Sequence, residues 1–180
     1  MENGMQSWPD SETEARALFE ANPDYVFEPR LTLHIEPEAA GFWISFSSEW
    51  GGALYLMDET NRKRYENGMI GEQHYEYAKR SYRLGLIRLT ELHDSLAAWQ
   101  SESGQGSYSF RMHTLDCFFI PAYLQDYAKM HPGRKEQCGQ IVQLIRDKLS
   151  EDGTLEEKAR SIEVLAATYI RHLQDLANQS

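Results

Sequence analysis

No apolar stretch in these 180 residues is long enough to cross a bilayer. The longest runs, Ala39 to Phe46 and Cys117 to Ala122, fall well below the roughly 18 to 20 residues a spanning helix needs. A membrane partner is therefore not expected. Met1 to Asp10 carries acid and lacks an apolar h-region, which argues against a secretory signal, and two cysteines, Cys117 and Cys138, are too few for a disulfide scaffold. The expected location is cytoplasmic. Bases are scarce where acids are dense. Residues 1–59 hold twelve acids against Arg16 and Arg30, while residues 60–180 carry sixteen of each sign, so the net charge of −10 belongs to the first third. Such a field repels nucleic acid and steers basic partners. No glycine-rich phosphate loop occurs, because Gly51-Gly52 lacks the following lysine, and no serine sits in a nucleophile-elbow setting. Nothing in the sequence names a reaction, and no cofactor is expected.

What is present is a globular composition, 41% apolar and 12% aromatic, in a length suited to one domain. Ser11 with Glu14 forms a capping box for a short helix ending near Asn22-Pro23. From Arg30 the period is two: Leu31, Leu33 and Ile35 alternate with Thr32, His34 and Glu36, and Pro37 ends the strand. Phe42 to Ser47 alternates in the same way, Gly51-Gly52 reads as a turn, and Ala53 to Met57 reads as a third strand of an antiparallel meander. After a break at Asn67-Gly68, Gly71 to Gln100 is the longest helical pattern, with Tyr75, Ala78, Tyr82, Leu86, Leu89, His93, Leu96 and Trp99 on one stripe. Tyr108 to His113 alternates as a strand returning to the sheet. Thr114 then caps a helical segment to Met130 that contains Pro121, and two further helices follow, the second capped by Thr154 with Glu157 after Asp152-Gly153. The expected fold is α+β: a small antiparallel β-meander in residues 1–59, packed against a mostly helical layer in residues 60–180 around one long central helix.

Three constellations are chemically suggestive. His113, Cys117, His131 and Cys138 have the right softness for zinc, yet their spacing fits no common finger and Cys117 lies among apolar residues, so no metal is expected. Arg88 and His93, with four residues between them, have a spacing that resembles the active-site pair of HEPN ribonucleases. With twelve arginines and six histidines, such a pair is expected about once by chance, and His93 also lies on the apolar stripe. The segment Arg62 to Arg88 has seven bases among tyrosines. It suits either stacking on single-stranded nucleic acid or, favoured by the acidic total, internal neutralisation of the first third.

These features point to a non-catalytic binding protein of the inhibitor, immunity or anti-defence kind. Its acidic third would steer a basic protein partner onto Glu36, Glu38 and Glu49, with Trp43 and Trp50 as exposed anchors near those carboxylates. Two alternatives belong to other classes: a helical RNA-cleaving enzyme using Arg88 and His93, and a protein that self-associates through its long apolar helix stripes.

Overall fold

Pro37 ends one element and begins another, and that junction shapes the whole molecule. A computed structural model describes Pro9 and residues 11–102, 104–151 and 155–179. Strand β1 spans Pro29–Ile35, and Pro37 then occupies the first turn of a helix capped by Glu36. Proline suits that position because its missing N–H would have had no helical acceptor. The helix, α2, runs unbroken over Pro37–Glu66. The expected strands at Phe42 to Ser47 and Ala53 to Met57, and the turn at Gly51-Gly52, are therefore helix instead. Short apolar runs satisfy periods of 2 and 3.6 alike, and here the longer-range register decides. Trp43, Phe46, Trp50 and Leu54 recur at three and four residues and are all buried. Burying each Phe-sized side chain contributes about 1.5 to 3 kcal/mol, which outweighs the roughly 1 kcal/mol that each glycine costs in a helix interior.

The remaining order is as follows. Helix α1, Glu12–Ala21, begins where Ser11 Oγ accepts from the Glu14 amide at 3.2 Å, as the capping box predicts. A 3-10 turn, Tyr25–Phe27, leads to β1. Helix α3, Glu72–Glu102, packs antiparallel along α2 and matches the long helix expected from the stripe. The hairpin between them closes at Gly68, whose φ of 68° favours glycine. The Met69 amide reaches Arg64 O at 2.8 Å and the Gly68 amide reaches Tyr65 O at 2.9 Å, which satisfies the last carbonyls of α2 as a Schellman cap. Tyr65 stacks on Tyr75 across the same end, with ring centroids 4.7 Å apart.

Strand β2, Tyr108–His113, returns as expected and pairs antiparallel with β1, Leu33 opposite Phe110 and Ile35 opposite Tyr108. Helix α4, Asp116–Met130, α5, Lys135–Ser150, and α6, Leu155–Asn178, complete the chain. The class is thus α+β and mostly helical, with a two-stranded antiparallel sheet in place of a three-stranded meander. Thr114 does not cap α4. Its hydroxyl accepts from Arg30 Nε at 2.9 Å and donates to Tyr25 O at 3.4 Å, leaving Leu115 at the cap position. Most of Met1 to Asp10, and the turn and cap at Asp152, Gly153 and Thr154, lie outside the described residues.

Two apolar clusters share α4. One gathers Leu33, Trp43, Phe46, Trp50, Leu89, Leu96, Phe110, Ile120, Leu124 and Ile145 from both strands and α2 to α5. The other joins α1 to α6 through Phe19, Tyr25, Phe119, Leu165 and Tyr169. Buried Lys158 donates to Leu149 O at 2.7 Å and so satisfies a carbonyl at the end of α5. Among the described residues no helix is long and apolar enough to cross a membrane.

Where α3 meets α4, Gly85 is the contact point: a Cβ built there would lie 2.1 Å from the Tyr123 hydroxyl oxygen. Gly85→Ala is therefore expected to lower stability by about 1 to 3 kcal/mol in denaturant titration. Gly52→Ala, where nothing lies within 4 Å, is expected to be neutral or stabilising by up to about 1 kcal/mol. Equal effects at the two positions would contradict this packing.

Candidate interaction site

All five residues expected at the partner surface lie on or beside α2, and the helix disperses them. Trp43 is 2% exposed and Trp50 is 4% exposed, so neither is a surface anchor. Helical spacing turns both rings inward with Phe46, whereas the expected strand would have turned Trp43 outward. Trp50 packs against Tyr123 at 5.8 Å, and its Nε1 is buried with no hydrogen-bond partner among the described residues. Glu36 and Glu49 are thirteen residues apart, about 20 Å along the axis, so they do not form one cluster with Glu38 as the meander required.

Glu36 and Glu38 stay together at the start of α2, both exposed. Neither carboxylate has a hydrogen-bond or ion-pair partner among the described residues. Glu36 edges a hollow of about 260 Å³ between β1, α2 and α5, whose walls include Leu33, Ile35, Trp43, Ile141 and Leu144. Leu144 is 43% exposed, so the hollow has an apolar rim facing solvent on one side and an acid on the other. The buried Trp43 ring is part of its wall, which is the residue's one contribution to the expected surface.

Glu49 belongs to a different group. Its Oε2 accepts from the Tyr127 hydroxyl at 2.8 Å and lies 3.2 Å from His131 Nε2, while the Tyr127 and His131 rings are 4.2 Å apart. Burial, with the bond to Glu49, pushes the Tyr127 hydroxyl up to about 12. Arg134 covers the Phe42 ring nearby at 5.6 Å. Sequence reading missed this cluster because 78 residues separate Glu49 from Tyr127 and no local pattern marks the pair.

Arg88 and His93 face different neighbours. Five residues of helix rotate the second about 140° from the first. Arg88 Nε donates to Asp116 Oδ1 at 2.9 Å and its Nη2 to Asp116 Oδ2 at 2.5 Å, with Glu91 as a further ion-pair partner. Asp116 is 1% exposed and also accepts from the His113 amide at 2.8 Å. His93 instead lines a hollow between α2 and α3 with Ser47, Gly51 and Thr90, and bonds Asp94 at 3.0 Å. Burial, then the nearby Arg88 charge, lowers the pKa of His113.

Among the described residues no three or more His, Cys, Asp or Glu side chains are grouped to hold a metal. Cys117 and Cys138 are both buried and free, and burial pushes the Cys117 thiol up to about 12, far from the thiolate a nucleophile or ligand needs. The basic stretch is neutralised chiefly by near neighbours. Lys79 and Arg80 meet Glu76, while Arg62 with Glu59 and Arg83 with Asp58 reach the acidic third. Comparison with known proteins finds no match to a family model, to a curated sequence or to a solved structure.

The Arg88–Asp116 pair is expected to be structural. Asp116→Ala leaves a guanidinium half-buried without its main partner and should cost about 3 to 5 kcal/mol, while Arg88→Met with Asp116→Leu should cost less than that single change. A double variant less stable than Asp116→Ala, measured by denaturant unfolding, would contradict this.

Proposed function

We propose that this chain is a non-catalytic binding protein whose acidic N-terminal third engages a basic protein surface, with Glu36 and Glu38 as the contact carboxylates. An inhibitor or immunity protein would act in this way. The observation that carries the reading is two exposed carboxylates at the start of α2, without a partner among the described residues, one of which, Glu36, borders an apolar hollow. Elsewhere in the first third, Glu12, Glu28, Glu49, Asp58 and Glu59 are each engaged by a base within the fold. Carboxylates already paired have less to offer a partner, whereas free ones keep their full charge for encounter and docking.

The chemistry follows from the geometry. Long-range attraction by the net charge of −10 brings a basic surface in, and contact with Glu36 and Glu38 orients it. Apolar side chains of the partner then have Leu144, Ile141 and the Trp43 wall to cover, which supplies the non-electrostatic part of the affinity. Trp43 acts as a wall held by the core, and the anchoring side chain comes from the partner. The location we infer for this encounter is the cytoplasm.

The test starts from a pull-down on the protein's native lysate at low and high salt, followed by affinity measurement with the retained protein. Glu36→Lys with Glu38→Lys is expected to weaken binding by about tenfold or more and to flatten its salt dependence. Glu20→Lys with Glu72→Lys, an equal charge change at two other exposed positions, is expected to weaken it much less. Equal losses from the two pairs would reduce the effect to net charge and overturn the assignment of the site.

A further inference from the structure

One hollow whose lining carries bases and no acid lies outside the acidic third. A cleft of about 640 Å³ runs between α4 and α5. Its small and apolar lining includes half-buried Ala128, buried Val142 and exposed Pro132 and Gly139. At its edges stand Lys129, Lys135 and Arg146, a local positive field on a chain whose net charge is −10. Lys129 is held by Asp126 at 2.6 Å, while Lys135 and Arg146 have no ion-pair partner among the described residues.

Gly139 is the second, independent observation. It sits inside α5, where glycine weakens a helix relative to alanine, and nothing lies within 4 Å of where its Cβ would be. The space beside Gly139 is open, as it is at Gly52 in α2, and at Gly139 that open space belongs to the cleft. A glycine lining an open groove lets another backbone approach closely, and Ala128 adds a second small residue to the same lining. A cleft of this volume between two packed helices, lined by small residues, suits a third helix nested between α4 and α5. Lys135 and Arg146 are eleven residues apart on α5, about 16 Å, so carboxylates near the two ends of a three-turn helix would meet both.

We propose that the cleft between α4 and α5 docks an acidic amphipathic helix of about three turns from a partner protein, with its apolar face on Ala128, Gly139 and Val142 and its carboxylates on Lys135 and Arg146. The acidic amphipathic helix α1 of a second copy is not the donor, because it is packed on α6 and tied through Glu12 to Arg171.

The experiment selects displayed helical peptides on the intact chain, with counter-selection against Gly139→Leu. Enriched peptides are expected to carry apolar residues at spacings of three and four with acids near both ends. Lys135→Glu with Arg146→Glu should weaken a selected peptide at least tenfold. Gly139→Leu should bind none while unfolding at a temperature no lower than the unaltered protein, which separates a blocked groove from a damaged fold. Basic or aperiodic peptides, or peptides that bind Gly139→Leu equally well, would overturn the proposal. So would saturable binding of dodecanoate with no helix enriched, which would assign the cleft to a small amphipathic anion.

Discussion

The bidentate pair between Arg88 and Asp116 ties the long helix α3 to the first turn of α4 through a buried charge. Arg88 belongs to α3 and Asp116 to the first turn of α4, and the same carboxylate holds the His113 amide at the end of β2. One buried acid thereby fixes where the sheet ends, where α4 begins and how both sit against the long hairpin. Charge buried to this degree stays in place only when paired and hydrogen-bonded, and here both conditions are met. The neighbouring Arg30 to Thr114 bond and the Thr114 to Tyr25 carbonyl bond extend the lock to the 3-10 turn before β1.

With that corner fixed, α2 and α3 determine what the surface can present. Their facing stripes bury Trp43, Phe46, Trp50, Leu89, Leu92 and Leu96, so the largest apolar residues of the first third are spent on the interior. What α2 leaves outward is charge together with Tyr55, Leu56 and Met57, and at its start free carboxylates stand beside an apolar hollow. The cleft between α4 and α5 uses other residues of the same α5 that borders this hollow.

How much of this is legible in the sequence depends on the length of each pattern. The stripe of α3 persists for thirty residues and leaves no rival period, and the alternation of Leu31, Leu33 and Ile35 is confirmed by the matching alternation of Phe110 and Met112 across the sheet. Phe42 to Ser47 fails because six residues of Phe-Trp-Ile-Ser-Phe-Ser fit a strand and a helix equally, and the deciding partners, Leu89 and Tyr127, are distant in sequence. Gly51-Gly52 adds to the error, since paired glycines suggest a turn yet are tolerated in a helix held by so much aromatic burial. The candidate surface inherits that mistake. Glu36 and Glu38 keep their exposure whatever the local structure, but Trp43 and Trp50 change sides and Glu49 moves about 20 Å along the helix.

The most direct test of the account is amide hydrogen exchange across the whole chain, with and without the basic protein that salt releases. The predicted footprint is slowed exchange at the amides of residues 31–40 and along α5 near Ile141 and Leu144, with little change at the hairpin tip around Gly68. Slowed exchange confined to the α2–α3 tip, or to the hollow around His93, would contradict the assigned surface and return the choice to self-association or to the Arg88 and His93 reading.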